Sequence, residues 1–119
     1  MKPKLFLLKP GFKDRNTDYG DKFYFCPQCA MIEGIIKYYP QLATLIEINY
    51  VDFSRPRKAI VELIGEENQS CPALIIENYS DENVDLSNFL SSADKLFTNS
   101  TDFIAKYLAE KYGIGYPHP

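Results

Sequence analysis

Two cysteines separated by two residues, Cys26-Pro27-Gln28-Cys29, stand directly before the apolar-periodic run Ala30 to Tyr39. This juxtaposition constrains the chain more than any other feature, because it places a thiol pair at the start of a helix. A sulfur there faces the unpaired backbone N–H groups of the first turn and the positive end of the helix dipole, surroundings that favour a nucleophilic thiolate. Cys29 lies about one turn further on, where it can resolve a mixed disulfide formed at Cys26. A CxxC pair is also half of many zinc sites, so the spacing alone leaves redox chemistry and metal binding both open.

The 119 residues fit one domain, expected over 1–113 with a short tail over 114–119. With 45% hydrophobic, 24% charged and 14% aromatic residues, the composition is that of a globular protein with a packed core. The formal charge is −3 and no basic run interrupts the scatter of Lys and Arg, so nothing provides the electrostatic footprint of a nucleic-acid binder. Met1-Lys2-Pro3-Lys4 leads only into the apolar stretch Leu5 to Leu8, which is too short for an export signal or a membrane span. Three cysteines do not make a secreted disulfide framework and suit a reducing compartment. The expectation is a cytoplasmic protein with neither nucleic acid nor membrane among its partners.

Leu5 to Leu8 is a continuous apolar run ended by Pro10-Gly11, which predicts a strand buried on both faces. Residues 11–25 form a long polar connection, the length at which loops become lids or recognition segments. Ile32, Ile35, Ile36 and Tyr39 then recur at helical spacing, with Pro27 tolerated in the first turn and Pro40 stopping the run. A second strand is predicted over Leu45 to Val51, and Ile60, Val61, Leu63 and Ile64 give a second helix ended by Gly65. Cys71-Pro72 introduces a third, buried strand over Ala73 to Ile76, where a missing N–H does least harm. The polar tract 78–94 is read as a loop with a short helical piece around Leu86 to Leu90, followed by a last strand over Lys95 to Thr98. Ser100 caps a final helix whose Phe103, Ile104, Tyr107 and Leu108 share a face, and Gly113 stops it.

The order strand, helix, strand, helix, strand, strand, helix, with CxxC opening the first helix and a proline opening the third strand, resembles the thioredoxin superfamily in its minimal glutaredoxin-like or glutathione-transferase N-terminal form. The resemblance covers nearly the whole chain and implies a four-stranded mixed sheet of order βαβαββα with flanking helices. It further implies that Cys26 is the nucleophile, Cys29 the resolving thiol and Pro72 a cis-proline whose loop presents backbone to a peptide or to glutathione. Pro27-Gln28 matches the glutaredoxin Pro-aromatic pair at its first position and departs from it at the second. Lys22, and Lys9 at the end of the first strand, are candidates for positive charge near the thiolate, or ordinary solvated lysines.

Cys71 stands where relatives of this type usually carry Thr or Val. The resemblance implies that its side chain lies near Cys26, where its roles would be an alternative disulfide, the third thiolate of a metal site, or a small buried hydrophobe. A closed zinc site needs a fourth ligand, and the only histidine, His118, lies in a Pro-rich tail, so no metal is expected. Asn99 and Ser100 precede the last helix where glutathione transferases and many glutaredoxins hold the γ-glutamyl carboxylate; Asn99 replaces the acidic residue, and Ser100 is equally explained as an N-cap.

A closer similarity runs through Leu7-Leu8-Lys9-Pro10-Gly11-Phe12, the CPxC, Gly65 to Ser70 and Tyr116-Pro117-His118-Pro119, which resemble an uncharacterised bacterial family of thioredoxin-like proteins. The implied function is thiol–disulfide exchange on a disulfide-containing protein or a glutathione mixed disulfide. No bound cofactor is implied, and glutathione is a candidate reductant. The rival expectation is a non-catalytic binding module that uses loops 11–25 and 78–94.

Overall fold

The computed structural model describes residues 1–17 and 21–119. Among them, strands β1 (Lys4–Leu8), β2 (Glu47–Val51), β3 (Ala73–Ile76), β4 (Leu90–Ser92) and β5 (Lys95–Thr98) form one mixed sheet in the order β2-β1-β3-β5-β4. Helices α1 (Pro27–Tyr38), α2 (Leu42–Leu45), α3 (Lys58–Ile64) and α4 (Thr101–Tyr112) complete the α/β fold. β1 runs parallel to β2, which requires a crossover, and α1 lies in that connection. β3 is antiparallel to β1, and β5 to β3. No helix of the described residues is long and apolar enough to cross a membrane.

The continuous apolar runs of β1 and β3 are explained by helices on both faces of the sheet. Leu5, Leu7, Leu74 and Ile76 point to one side, where they meet Cys29 and Ile32 of α1 and Ile104, Tyr107 and Leu108 of α4. Phe6, Ala73 and Ile75, the alternate residues of the same strands, point to the other side and pack with Ile60 and Ile64 of α3 and with Phe97. A shift of one residue in either strand would exchange these two sets, so both faces hold the register.

The sheet has five strands rather than the four expected from sequence. The additional strand is β4, in the tract read as a loop with a helical piece around Leu86 to Leu90. Its three residues are partly or fully exposed, so they carry no burial alternation that would have marked them. The β4–β5 turn is Ala93-Asp94, both with positive φ (51° and 64°), a conformation usually announced by Asn-Gly or Asp-Gly. The rest of the tract is anchored: Val84, Leu86 and Phe89 pack on the α1/α4 side of the core, and a 3₁₀ turn spans Tyr79–Asp81. A second difference is α2, a single helical turn inserted before β2, which starts at Glu47 rather than Leu45.

The helix ends follow their local chemistry. Ser100 Oγ accepts the Phe103 N–H at 3.2 Å to cap α4, and Gly113 closes the helix in the left-handed region with φ 70°. Beyond it Ile114 is only 6% exposed and joins the core, whereas Tyr116 to Pro119 are exposed. The Ala93-Asp94 turn yields a direct test: Ala93→Asn with Asp94→Gly, which tolerate positive φ, should raise unfolding stability by about 0.5–1 kcal/mol in urea denaturation. An unchanged midpoint would show that the turn conformation is not a source of strain.

Candidate functional site

The site is built where α1 begins. Cys26 is its N-cap in extended conformation, Pro27 occupies the first helical position, and the Cys26 sulfur accepts the Cys29 N–H at 3.1 Å. The sulfur thus takes the place of the oxygen that usually caps a helix, and any negative charge on it would meet a backbone donor. Its own thiol lies 3.8 Å from two acceptors, the Cys71 carbonyl and Gln28 Oε1. Cys26 is half-buried, while Cys29 is 4% exposed behind it and receives the Leu8 N–H from the end of β1 at 3.5 Å. All three cysteines are free thiols.

Burial is the main reason that the Cys29 thiol is pushed up to about 12 from 9.0, with the hydrogen bond to Cys26 adding to it. Cys71 is raised to about 11, again chiefly by burial, and here the Arg57 guanidinium pulls in the opposite direction. The Cys71–Pro72 bond is cis, as is Arg55–Pro56. The structure therefore brings Cys26, Cys29, Cys71 and Pro72 to one place, at the junction of α1, the end of β1 and the entry to β3.

Asn99 and Ser100 serve the protein's own bonding in this arrangement. The Asn99 amide donates to the Ser70 carbonyl at 2.7 Å, and the Ser100 hydroxyl is the α4 cap. Lys9 pairs with Asp52 at 3.1 Å, and Lys22 is exposed. His118 is exposed in the tail, and no group of three or more His, Cys, Asp or Glu side chains among the described residues is arranged to hold a metal ion. In the loop 11–25, Phe12 and Tyr24 form an isolated antiparallel bridge and Phe12 stacks on Phe53 with ring centres 4.4 Å apart. Asp18 to Gly20 of that loop lie outside the described residues.

Three features were not anticipated from sequence. The first is Arg57, 7% exposed, whose Nε and Nη2 donate to the Phe53 carbonyl at 3.1 and 2.6 Å and whose Nη1 donates to the Gln69 carbonyl at 2.8 Å. Its backbone N–H donates to Gln69 Oε1 at 2.6 Å, and its guanidinium lies 5.5 Å from the Phe53 ring centre. No carboxylate of the described residues pairs with it, and burial lowers its pKa. The second is the pairing of Tyr50 with Glu33, in which the phenol donates to the carboxylate and is raised to about 12, first by that bond and then by burial. The third is a cavity of about 250 Å³ at the dithiol, lined by Leu7, Leu8, Phe25, Cys26, Cys29, Glu33 and Tyr50 among others. An arginine in a connection that also holds Arg55, and a glutamate on a helix, carry no pattern that distinguishes them from surface charges.

These features define a small mixed α/β protein with a thiol pair at a helix start, faced by a proline-led strand. The chain belongs to the family described as "Protein of unknown function (DUF3088)", whose model matches residues 2–116. No curated protein and no solved structure matches it.

The raised thiols have a sign-determined effect on stability. Between about pH 9 and pH 11 the unfolded chain releases thiol protons that the folded chain retains at Cys29 and Cys71, so stability falls as pH rises. Each retained proton contributes about 1.4 kcal/mol per pH unit to that fall. Cys29→Ala should flatten the alkaline limb by about that amount per unit relative to wild type, in denaturation curves compared at stepped pH. Parallel limbs for the two proteins would show that Cys29 ionises as easily folded as unfolded.

Proposed function

We propose that this chain is a thiol–disulfide oxidoreductase of thioredoxin-like fold. The observation that carries the reading is the Cys26 sulfur at the start of α1, supplied with the Cys29 N–H and set 3.8 Å from the carbonyl of Cys71, the residue before Pro72. Cys26 attacks one sulfur of a substrate disulfide; the substrate S–S bond breaks, its far sulfur leaves as a thiol, and a mixed disulfide remains on Cys26. A thiol from the protein then attacks Cys26, expels the second substrate thiol and leaves a protein disulfide, which an external thiol reduces. The fold assignment is supported by the parallel β1/β2 pair joined through α1, the antiparallel β3 and β5, and the closing α4. β4 is then an addition at the sheet edge.

The substrate is a disulfide-containing protein or a glutathione mixed disulfide, and the setting is the reducing cytoplasm, in keeping with three free thiols. Glutathione is the candidate reductant. Asn99 and Ser100 lend this less support than the thiols do, since both are engaged in the protein's own hydrogen bonds.

A second reading is a binding module without catalysis, favoured by Phe23 and Phe25, which are 70% and 61% exposed in the loop leading into the dithiol. Loops 11–25 and 78–94 would then form the partner surface. Turnover separates the two. The purified protein should reduce 2-hydroxyethyl disulfide or insulin with glutathione or thioredoxin reductase as separate electron sources, and Cys26→Ser should lower the rate at least about a hundredfold. If neither source supports turnover and no adduct forms on Cys26, the binding module stands in place of the enzyme.

A further inference from the structure

Cys71 is a nucleophilic group for which the two-cysteine scheme has no use. It is half-buried, it packs on the same apolar cluster as Cys26 and Cys29, and its carbonyl is 3.8 Å from the Cys26 sulfur. Its own sulfur is only a few bonds from that carbonyl. The Arg57 guanidinium, held in place by the Phe53 and Gln69 carbonyls, stands beside Cys71 and acts on that thiol more strongly than on Cys29 or Cys26. A buried guanidinium with no carboxylate partner among the described residues carries a charge that an adjacent thiolate would satisfy.

We propose that Cys71 is a second resolving thiol, which competes with Cys29 for the mixed disulfide on Cys26 and closes a Cys26–Cys71 disulfide. The inference rests on the oxidoreductase reading above. In the step, the Cys71 sulfur forms a bond to the Cys26 sulfur, and the bond from Cys26 to the substrate sulfur breaks. The substrate sulfur departs with the electron pair and takes up a proton, while the proton lost by Cys71 goes to solvent. Over both steps Cys26 and Cys71 are oxidised by two electrons, and the substrate disulfide, which is the oxidant, becomes two thiols. Arg57 acts through Cys71 as a positioning residue, holding positive charge where the attacking thiolate forms.

The test uses the full chain and 2-hydroxyethyl disulfide as the probe, with acid quench, alkylation of remaining thiols and non-reducing peptide mapping by mass spectrometry. Cys29→Ser should still expel the second 2-mercaptoethanol and yield a Cys26–Cys71 cross-link. Cys29→Ser with Cys71→Ser should keep the hydroxyethyl adduct on Cys26, its loss slowed at least about tenfold. Cys29→Ala, which places no hydroxyl in the buried site, should give the same cross-link as Cys29→Ser and guards against a folding artefact. If Cys29→Ser and Cys29→Ala retain the adduct on Cys26 while Cys71 is alkylated, the second resolving role is overturned. Failure of the oxidoreductase reading looks different, because then the double variant forms no adduct on Cys26 at all.

Discussion

The arrangement of the candidate site depends on one buried guanidinium. Arg57 ties the connection between β2 and α3 to the segment that enters β3, through Phe53 on one side and both the backbone and side chain of Gln69 on the other. Hydrogen bonds to a charged donor are stronger than neutral ones, and removing a buried donor leaves carbonyls unsatisfied at about 1–3 kcal/mol each. Asn99 holds the next residue, Ser70, from the β5–α4 corner. Cys71 and Pro72 follow immediately, so the loop facing Cys26 is fixed by contacts from two separate parts of the chain. An apolar residue at position 57 could fill the space but could not join these carbonyls.

The layered fold could be read from sequence because its signals are local and redundant. Leu5–Leu8 of β1 and all of β3 are apolar at every position, and the periodicity of α1 and α4 is bounded by Pro40 and by Ser100 and Gly113. β4 could not be read in the same way. A three-residue exposed edge strand has neither alternation nor burial, and its turn uses Ala93 and Asp94 where a pattern would require glycine. What fixes it is tertiary: pairing with β5, and the Ser92 hydroxyl on the Ile64 carbonyl at the end of α3.

The candidate site divides along the same line. The thiol pair and the proline are marked by spacing and by their places in the element order. Arg57, Gln69, Glu33 and Tyr50 are not, because each becomes informative only through a partner distant in sequence. Thr98-Asn99-Ser100 shows the converse: a segment that resembles a ligand subsite is occupied by a helix cap and a strut to Ser70, with Thr98 Oγ1 accepting the Ser100 N–H at 3.1 Å. Polar residues before a helix have structural work there whether or not a ligand binds.

The chain beyond α4 has a practical meaning for anyone handling this protein. Ile114 is part of the core, and at Gly115 a Cβ would come within 2.7 Å of the Tyr39 hydroxyl, so the backbone after the last helix lies directly against the end of α1. Both ends of α4 are therefore held, by Ser100 at its start and by this seated segment after Gly113. A shortened version that stops at the helix would uncover apolar surface at the foot of α1, the same helix that carries the dithiol at its other end, whereas an affinity tag attached after Pro119 extends from residues already in solvent.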